Sequence, residues 1–316
     1  MMTRGLVLKK YLAILIALLS VVGIVTGVVV GRRNNQGMSV HFNKRDLSND
    51  GIRILTSADP EFEAVAANYF TSKSSNSNKS LKPFSIFIEN RGTRTIVAYM
   101  LVWQIVKTDG QVLTNTTSYS EPGVLMGNEI PTDPRFKHIQ AINPGGVRCF
   151  TWSALVSPEG GQPLGGSNTM PTDLIKGVRD QLTDELSQAS DLTVSLDGVF
   201  FDDGEFVGPN ATGFFERIQA MVKAKKDLRR DIAFANDKDK LEEAFDRVAA
   251  KGLSPSIVLT SQSSPDDYYK YYTKLFAEEI DNMQKFYGKE SLAEYLVKLH
   301  KKPHPLLKRK IGEGKL

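Results

Sequence analysis

Cysteine is nearly absent from this 316-residue chain. Cys149 stands alone, so no intramolecular disulfide can form and burial must hold the fold. It lies in VRCFTWSAL among apolar neighbours, where a thiol acts as a small core residue. Histidine is almost as scarce: His41, His138, His300 and His304. Only His300 and His304 have the four-residue spacing of a helical metal pair. Pro303 falls between them and no third ligand is near, so they read as part of a basic tail. His138, in DPRFKHIQ, reads as an exposed loop residue. The GxSxG, HExxH, CxxC, phosphate-loop and dinucleotide signatures are missing as well. Gly160, Gly161, Gly165 and Gly166 lack the Lys-Ser/Thr that phosphate cradling needs. Asp202, Asp203 and Glu205 crowd one turn, but their spacing departs from calcium loops and suits a hairpin. No catalytic, cofactor-binding or metal-ligating residue is assigned.

Charge of one sign is not in large excess either. Residues 32–210 hold 16 Lys+Arg against 20 Asp+Glu, and 211–316 hold 21 against 16. A mildly acidic middle and a basic end point to two regions of different character, neither charged enough to imply nucleic acid. Hydrophobic residues make up 41% and charged residues 24%, which allows a packed core in one or two domains.

Long apolar runs are absent but for one. Tyr11 to Val30 is uncharged, bracketed by Lys9 and Lys10 before it and Arg32 and Arg33 after it. Twenty helical residues span roughly 30 Å, the thickness of a bilayer core. The run predicts a single transmembrane helix in contact with lipid through residues 11–30. A cleaved signal peptide would have a shorter apolar core and a small-x-small exit. The flanking charges nearly balance, with Arg4 also before the run and Lys44 and Arg45 also after it. Because large downstream domains translocate largely regardless of charge, the expectation is a cytosolic amino terminus and an extracytoplasmic C-terminal part. Sequons at Asn78, Asn115 and Asn210 are uninformative by themselves; in a bacterium they would be chance.

Beyond the anchor, the expected organisation is a cytosolic tail and anchor over 1–33, a tether over 34–50, a β-sandwich over 51–210, and a helical region with a basic tail over 211–316. Ile52 and Ile54 suggest a short strand, followed by a turn or brief helix with Asp59 as cap and Pro60 at its first position. TSKSSNSNKS is loop by composition. In PFSIFIEN, Phe84, Ile86 and Ile88 share a face. In TIVAYMLVWQIVK, one face takes Val97, Tyr99, Leu101, Trp103 and Ile105. The other takes Ile96, Ala98, Met100 and Val102, so the strand should be central. Asp109-Gly110 supplies a tight hairpin turn, 121–146 reads as a long loop, and VRCFTWSALV returns as a strand. A helix is expected over 172–190. The segment with Val194, Leu196, Val199 and Phe201 then forms a second hairpin with Phe206 and Val207. About seven short strands with an aromatic-rich centre suggest an all-β, antiparallel sandwich of immunoglobulin-like type.

From Asn210 the period lengthens. Phe214, Ile218, Met221, Leu228, Ile232 and Ala235 mark a helix face continued by Leu241, Phe245 and Val248, in one long helix or two short ones. Ser264-Pro265-Asp266-Asp267 starts another helix running through Tyr268, Tyr272, Leu275, Phe276, Met283 and Phe286 to Gly288. A last one covers about 289–300, which makes the C-terminal part a helical hairpin or small bundle. Tyr268 and Tyr272 should face the core and leave Tyr269 or Tyr271 partly exposed. These two, with Lys301, Lys302, Lys308, Arg309 and Lys310 of the basic tail, are the candidate interaction surface, toward a protein partner or an anionic surface.

The segments PFSIFIENRGTRTIVAYMLVWQI and LDGVFFDDGEFVGPN, the latter running into a charged helix, resemble a group of bacterial membrane-anchored or exported proteins to which no activity is attached. The resemblance covers about 52–235 and implies a bacterial origin with a sandwich-plus-helix layout. The reading that follows is a membrane-tethered envelope protein, a non-catalytic interaction or structural module. The alternatives are an envelope hydrolase whose carboxylates the fold assembles, and a carbohydrate- or lipid-binding module.

Overall fold

The computed structural model of the chain describes residues 41–70, 82–126, 141–150, 184, 186–235, 238–260 and 262–310. Nine strands are found among them: β1 His41–Arg45, β2 Ile52–Leu55, β3 Ile86–Asn90, β4 Ile96–Lys107, β5 Val112–Ser120, β6 Val147–Phe150, β7 Ala189–Phe201, β8 Glu205–Val207 and β9 Lys308–Arg309. They form a mixed six-stranded sheet ordered β5-β4-β7-β8-β9, with β1 also on β7, and a three-stranded sheet ordered β2-β3-β6. The helices are α1 Phe62–Tyr69, α2 Pro122–Leu125, α3 Phe214–Ala233, α4 Lys238–Gly252, α5 Pro265–Tyr287 and α6 Lys289–Lys301.

Three buried clusters lie one behind another. Leu55, Phe87 and Cys149 of the small sheet pack on Phe62 and Ala66 of α1. The other face of that sheet, with Ile52, Ile54, Ile86 and Ile88, shares a second cluster with Tyr99, Leu101, Trp103 and Ile105 of β4 and Leu192, Val194 and Leu196 of β7. Trp103 Nε1 is satisfied inside it, donating to Thr117 Oγ1 at 3.1 Å. On its far face the large sheet presents Val97, Ala98, Met100, Phe200 and Phe206 to α3 and the helices behind it. Sheet and helical parts therefore share a core.

Two of the three register slips between β4 and β7 set which side chains face which layer. β4 and β7 slip register between Ile96 and Ala98, and again between Met100 and Leu101. At the first slip Val97 and Ala98 both turn toward the helices while Ile96 joins Tyr99 on the opposite face, correcting the strict alternation expected for this strand. At the second, Asp197 is the extra residue, and Leu196 and Val199 both enter the sheet-to-sheet core. The Asp197 carboxylate, 3% exposed, accepts from Ala211 N at 2.6 Å, Thr212 N at 3.0 Å and Thr212 Oγ1 at 2.5 Å. It thereby fixes the entry to α3. Asn210, with φ of 61°, completes the joint as its Oδ1 accepts from Phe215 N at 2.7 Å.

Several expectations change. An all-antiparallel sandwich gives way to a mixed sheet, because β1 and β9 pair in parallel with β7 and β8. The stretch expected as tether contains β1 and a short 3-10 turn at Ser48–Asp50. Asp59 does not cap α1: its carboxylate accepts from Thr56 N at 2.8 Å and pairs with Lys44 and Arg53, and Glu61 precedes the helix. The β4–β5 connection is wider than a two-residue turn, closed by Lys107 N to Gln111 O at 2.8 Å, although Gly110 has the positive φ expected of it. Ala189 and Ser190, expected to end a helix, begin β7; 172–183 lies outside the described residues. The apolar stripe after Asn210 belongs to two helices, α3 and α4. The Ser264 cap is a full capping box with Asp267, but Leu275 and Phe286 point to solvent. Among the described residues no helix is long and apolar enough to cross a membrane, and the 11–30 run lies outside them.

Candidate functional site

Tyr269 and the C-terminal tail, far apart in sequence, meet at one groove of about 730 Å³. Its floor is a face of α3, where Gln219, Ala220, Lys223, Lys226, Asp227 and Arg230 recur at helical spacing. The start of α5 supplies Pro265 and Tyr269, and the end of α6 with the following strap supplies His300, His304, Pro305, Leu306 and Leu307.

The strap is held at both ends. It leaves α6 at Lys302 and enters the large sheet as β9, with Lys308 N donating to Gly204 O at 3.2 Å and Lys310 N to Phe206 O at 2.9 Å. It crosses the Asp202–Gly204 turn closely, so that a Cβ at Gly204 would lie 2.9 Å from Leu306 O and from Pro305 Cβ. Arg309 donates to Pro209 O at 2.8 Å, Lys310 pairs with Asp50 at 2.8 Å, and Lys308 lies 3.6 Å from Glu205. Three of the five tail cations expected to form a docking run are thus tied to the fold. Lys301 and Lys302 are exposed.

Inside the groove most charges are paired. Asp227 receives Lys223 at 2.9 Å, Arg230 at 2.9 Å and the Tyr269 hydroxyl at 3.0 Å. Burial pushes its carboxyl up, but the bonds from Lys223 and Tyr269 outweigh that and hold it below the usual range. Lys223 also lies 3.9 Å above the Tyr269 ring, and its ammonium is raised chiefly by the Asp227 bond. Glu216 accepts from Asn210 Nδ2 at 2.8 Å. Lys226 is the exception: half-buried, with no partner among the described residues, and lowered by burial alone. Tyr271 is not in the groove; it packs edge-on against Tyr272 at 5.2 Å.

The carboxylates of the 202–205 turn are taken up differently. Arg94 pairs with Asp203 and Glu205, both at 3.0 Å, while its guanidinium lies 3.8 Å above the Phe201 ring. Among the described residues no group of three or more His, Cys, Asp or Glu is placed to hold a metal ion.

Sequence reasoning passed over Lys223, Lys226 and Arg230. Their signal was available as a basic stripe at three- and four-residue spacing, opposite the apolar stripe that identified the helix. Comparison with family models, curated proteins and solved structures returns no match to this chain.

Proposed function

We propose that this protein is a single-pass, membrane-tethered bacterial envelope protein whose C-terminal part lies outside the cytoplasm and acts as a non-catalytic interaction module through its helical part. One observation carries the reading: of the nine large apolar side chains that face solvent among the described residues, eight fall between Phe234 and Leu306, with Val112 the sole exception in the sheets. Leu253 and Phe286 are 86% and 85% exposed, and Tyr287 follows Phe286 at the end of α5. Aromatic side chains presented this way are characteristic of protein interfaces. The anchor rests on the 20-residue uncharged run and its basic flanks.

For an immunoglobulin-like relationship, the support is two sheets over one core with Trp103 at its centre; the parallel pairings of β1 and β9 depart from that type. A hydrolase using assembled carboxylates is less favoured, because a general acid needs a raised pKa. Asp59, Asp203, Asp227 and Asp267 are all held low by hydrogen bonds and cations.

Crosslinking in intact cells, followed by mass spectrometry, tests the module. Recurrent crosslinks to one envelope protein from Lys285 and Lys289, which flank Phe286 and Tyr287, are expected; reproducible recovery of none refutes the reading. An export-dependent phosphatase fused after Leu316 should be active, and an inactive fusion overturns the sidedness.

A further inference from the structure

The groove between α3, the start of α5 and the C-terminal strap goes beyond a protein-contact face, because it combines apolar walls with a cation that no side chain among the described residues pairs. We propose that it binds a small amphiphilic anion, a carboxylate or phosphate on an apolar body, with Lys226 taking the anionic head. Its volume, about 730 Å³, is that of a site for one small molecule. Ala220, Val222, Pro305, Leu306 and Leu307 supply apolar wall.

Charge complementarity selects the head group. Asp227 is spent on Lys223, Arg230 and Tyr269; Glu216 accepts one bond from the neutral Asn210 amide and keeps its charge, but Lys223, Lys226 and Arg230 outnumber the two acids, so the groove favours an anion. Lys226 has no such partner among the described residues. Burial has lowered its pKa, so its unpaired charge costs free energy there and gains from an incoming anion. His300 and His304, whose spacing first suggested a metal pair, line the same groove and add N–H donors to it.

The test uses the full-length protein in nanodiscs of uncharged lipid, with empty nanodiscs as blank and octyl phosphate as the titrated probe. Saturable binding is expected, weakened about tenfold or more by Lys226→Met and unchanged by Lys301→Met, which removes an exposed cation outside the groove. Lys226→Met should melt no lower than the parent, because it removes an unpaired, half-buried charge and keeps the stem. A diazirine analogue of the probe should label peptides from 216–230 and 300–307. Octyltrimethylammonium binding as well as octyl phosphate would overturn the assignment of charge. Inorganic phosphate binding equally well would overturn the amphiphile and leave only a phosphate site. Absence of saturable binding, or a Lys226→Met variant that binds like the parent, would overturn the proposal outright.

Discussion

Gly198 offers the sharpest test of how the sheet and the helices are joined. A Cβ at this position would sit 2.1 Å from Cζ and 2.3 Å from Cε2 of Phe206, and 3.2 Å from Val207 O. The ring would have to retreat about 1.4 Å to reach ordinary carbon contact at about 3.5 Å. It has no room to do so, with Phe200 at 5.0 Å, Phe215 at 5.4 Å and Phe214 at 6.5 Å between centroids, and Phe206 itself wholly buried. Overpacking of this kind costs about 1–3 kcal/mol, and a ring enclosed by three others places Gly198→Ala near about 3 kcal/mol. For a body of this size that lowers Tm by about 6 °C. Urea unfolding followed by tryptophan fluorescence, to which Trp103, buried in β4, contributes alongside Trp152, reads the change. The double variant with Phe206→Leu separates steric overlap from any other effect of the extra methyl. Leucine removes the ring edge that the methyl strikes, so the two substitutions should couple favourably by about 1–2 kcal/mol. A Gly198→Ala protein within about 0.5 kcal/mol of the parent, or strictly additive costs, would refute the packing argument.

Arg229 is expected to be replaceable. It is 4% exposed, its Nε and Nη1 have no hydrogen-bond partner among the described residues, and burial lowers its pKa, outweighing the opposing attraction of Tyr295 and Glu279. Arg229→Met should leave stability unchanged or raise it by about 1–3 kcal/mol in urea unfolding, whereas a clear loss would show a partner that the geometry lacks. Asp59 should carry acid sensitivity. Burial raises its carboxyl, but Lys44 and Thr56 more than reverse this and leave the folded pKa below 3.8. Its contribution is therefore complete above the unfolded value and lost as pH falls through the folded one. Asp59→Asn should be less stable than the parent at about pH 6 and converge with it near pH 2; a gap independent of pH would sink the assignment.

Much of the fold was legible from period and turn chemistry. Phe84, Ile86 and Ile88 face one core as their alternation requires, and the Ser264-Pro265 start and Gly288 stop bound α5 where the capping residues placed them. The bulges were less legible. At Asp197 the sequence carries the sign of one, since Leu196 and Val199 are three apart yet face the same core. At Val97 every neighbour is apolar, so no choice of face could be made from hydrophobicity. Phe286 misled for the opposite reason: it continues a helical stripe in sequence but stands at the end of α5, 85% exposed.

The parallel strands were hidden for a topological cause. β1 and β9 are 5 and 2 residues long and lie at opposite ends of the described chain, and each becomes a strand only because an edge of the large sheet is free to receive it. Local propensity cannot report a partner 150 or 100 residues away, as in His41 with Asp191 or Arg309 with Pro209. The same long-range closure made the groove invisible to the sequence. Its floor could be read from α3 alone, but its wall exists because β9 ties the strap to β8 after α6 has turned the chain back. The basic tail is thus a structural strap first. Lys308, Arg309 and Lys310 are spent on Glu205, Pro209 and Asp50 while Lys301 and Lys302 stay in solvent, so the groove's cation without a partner among the described residues is Lys226 of α3.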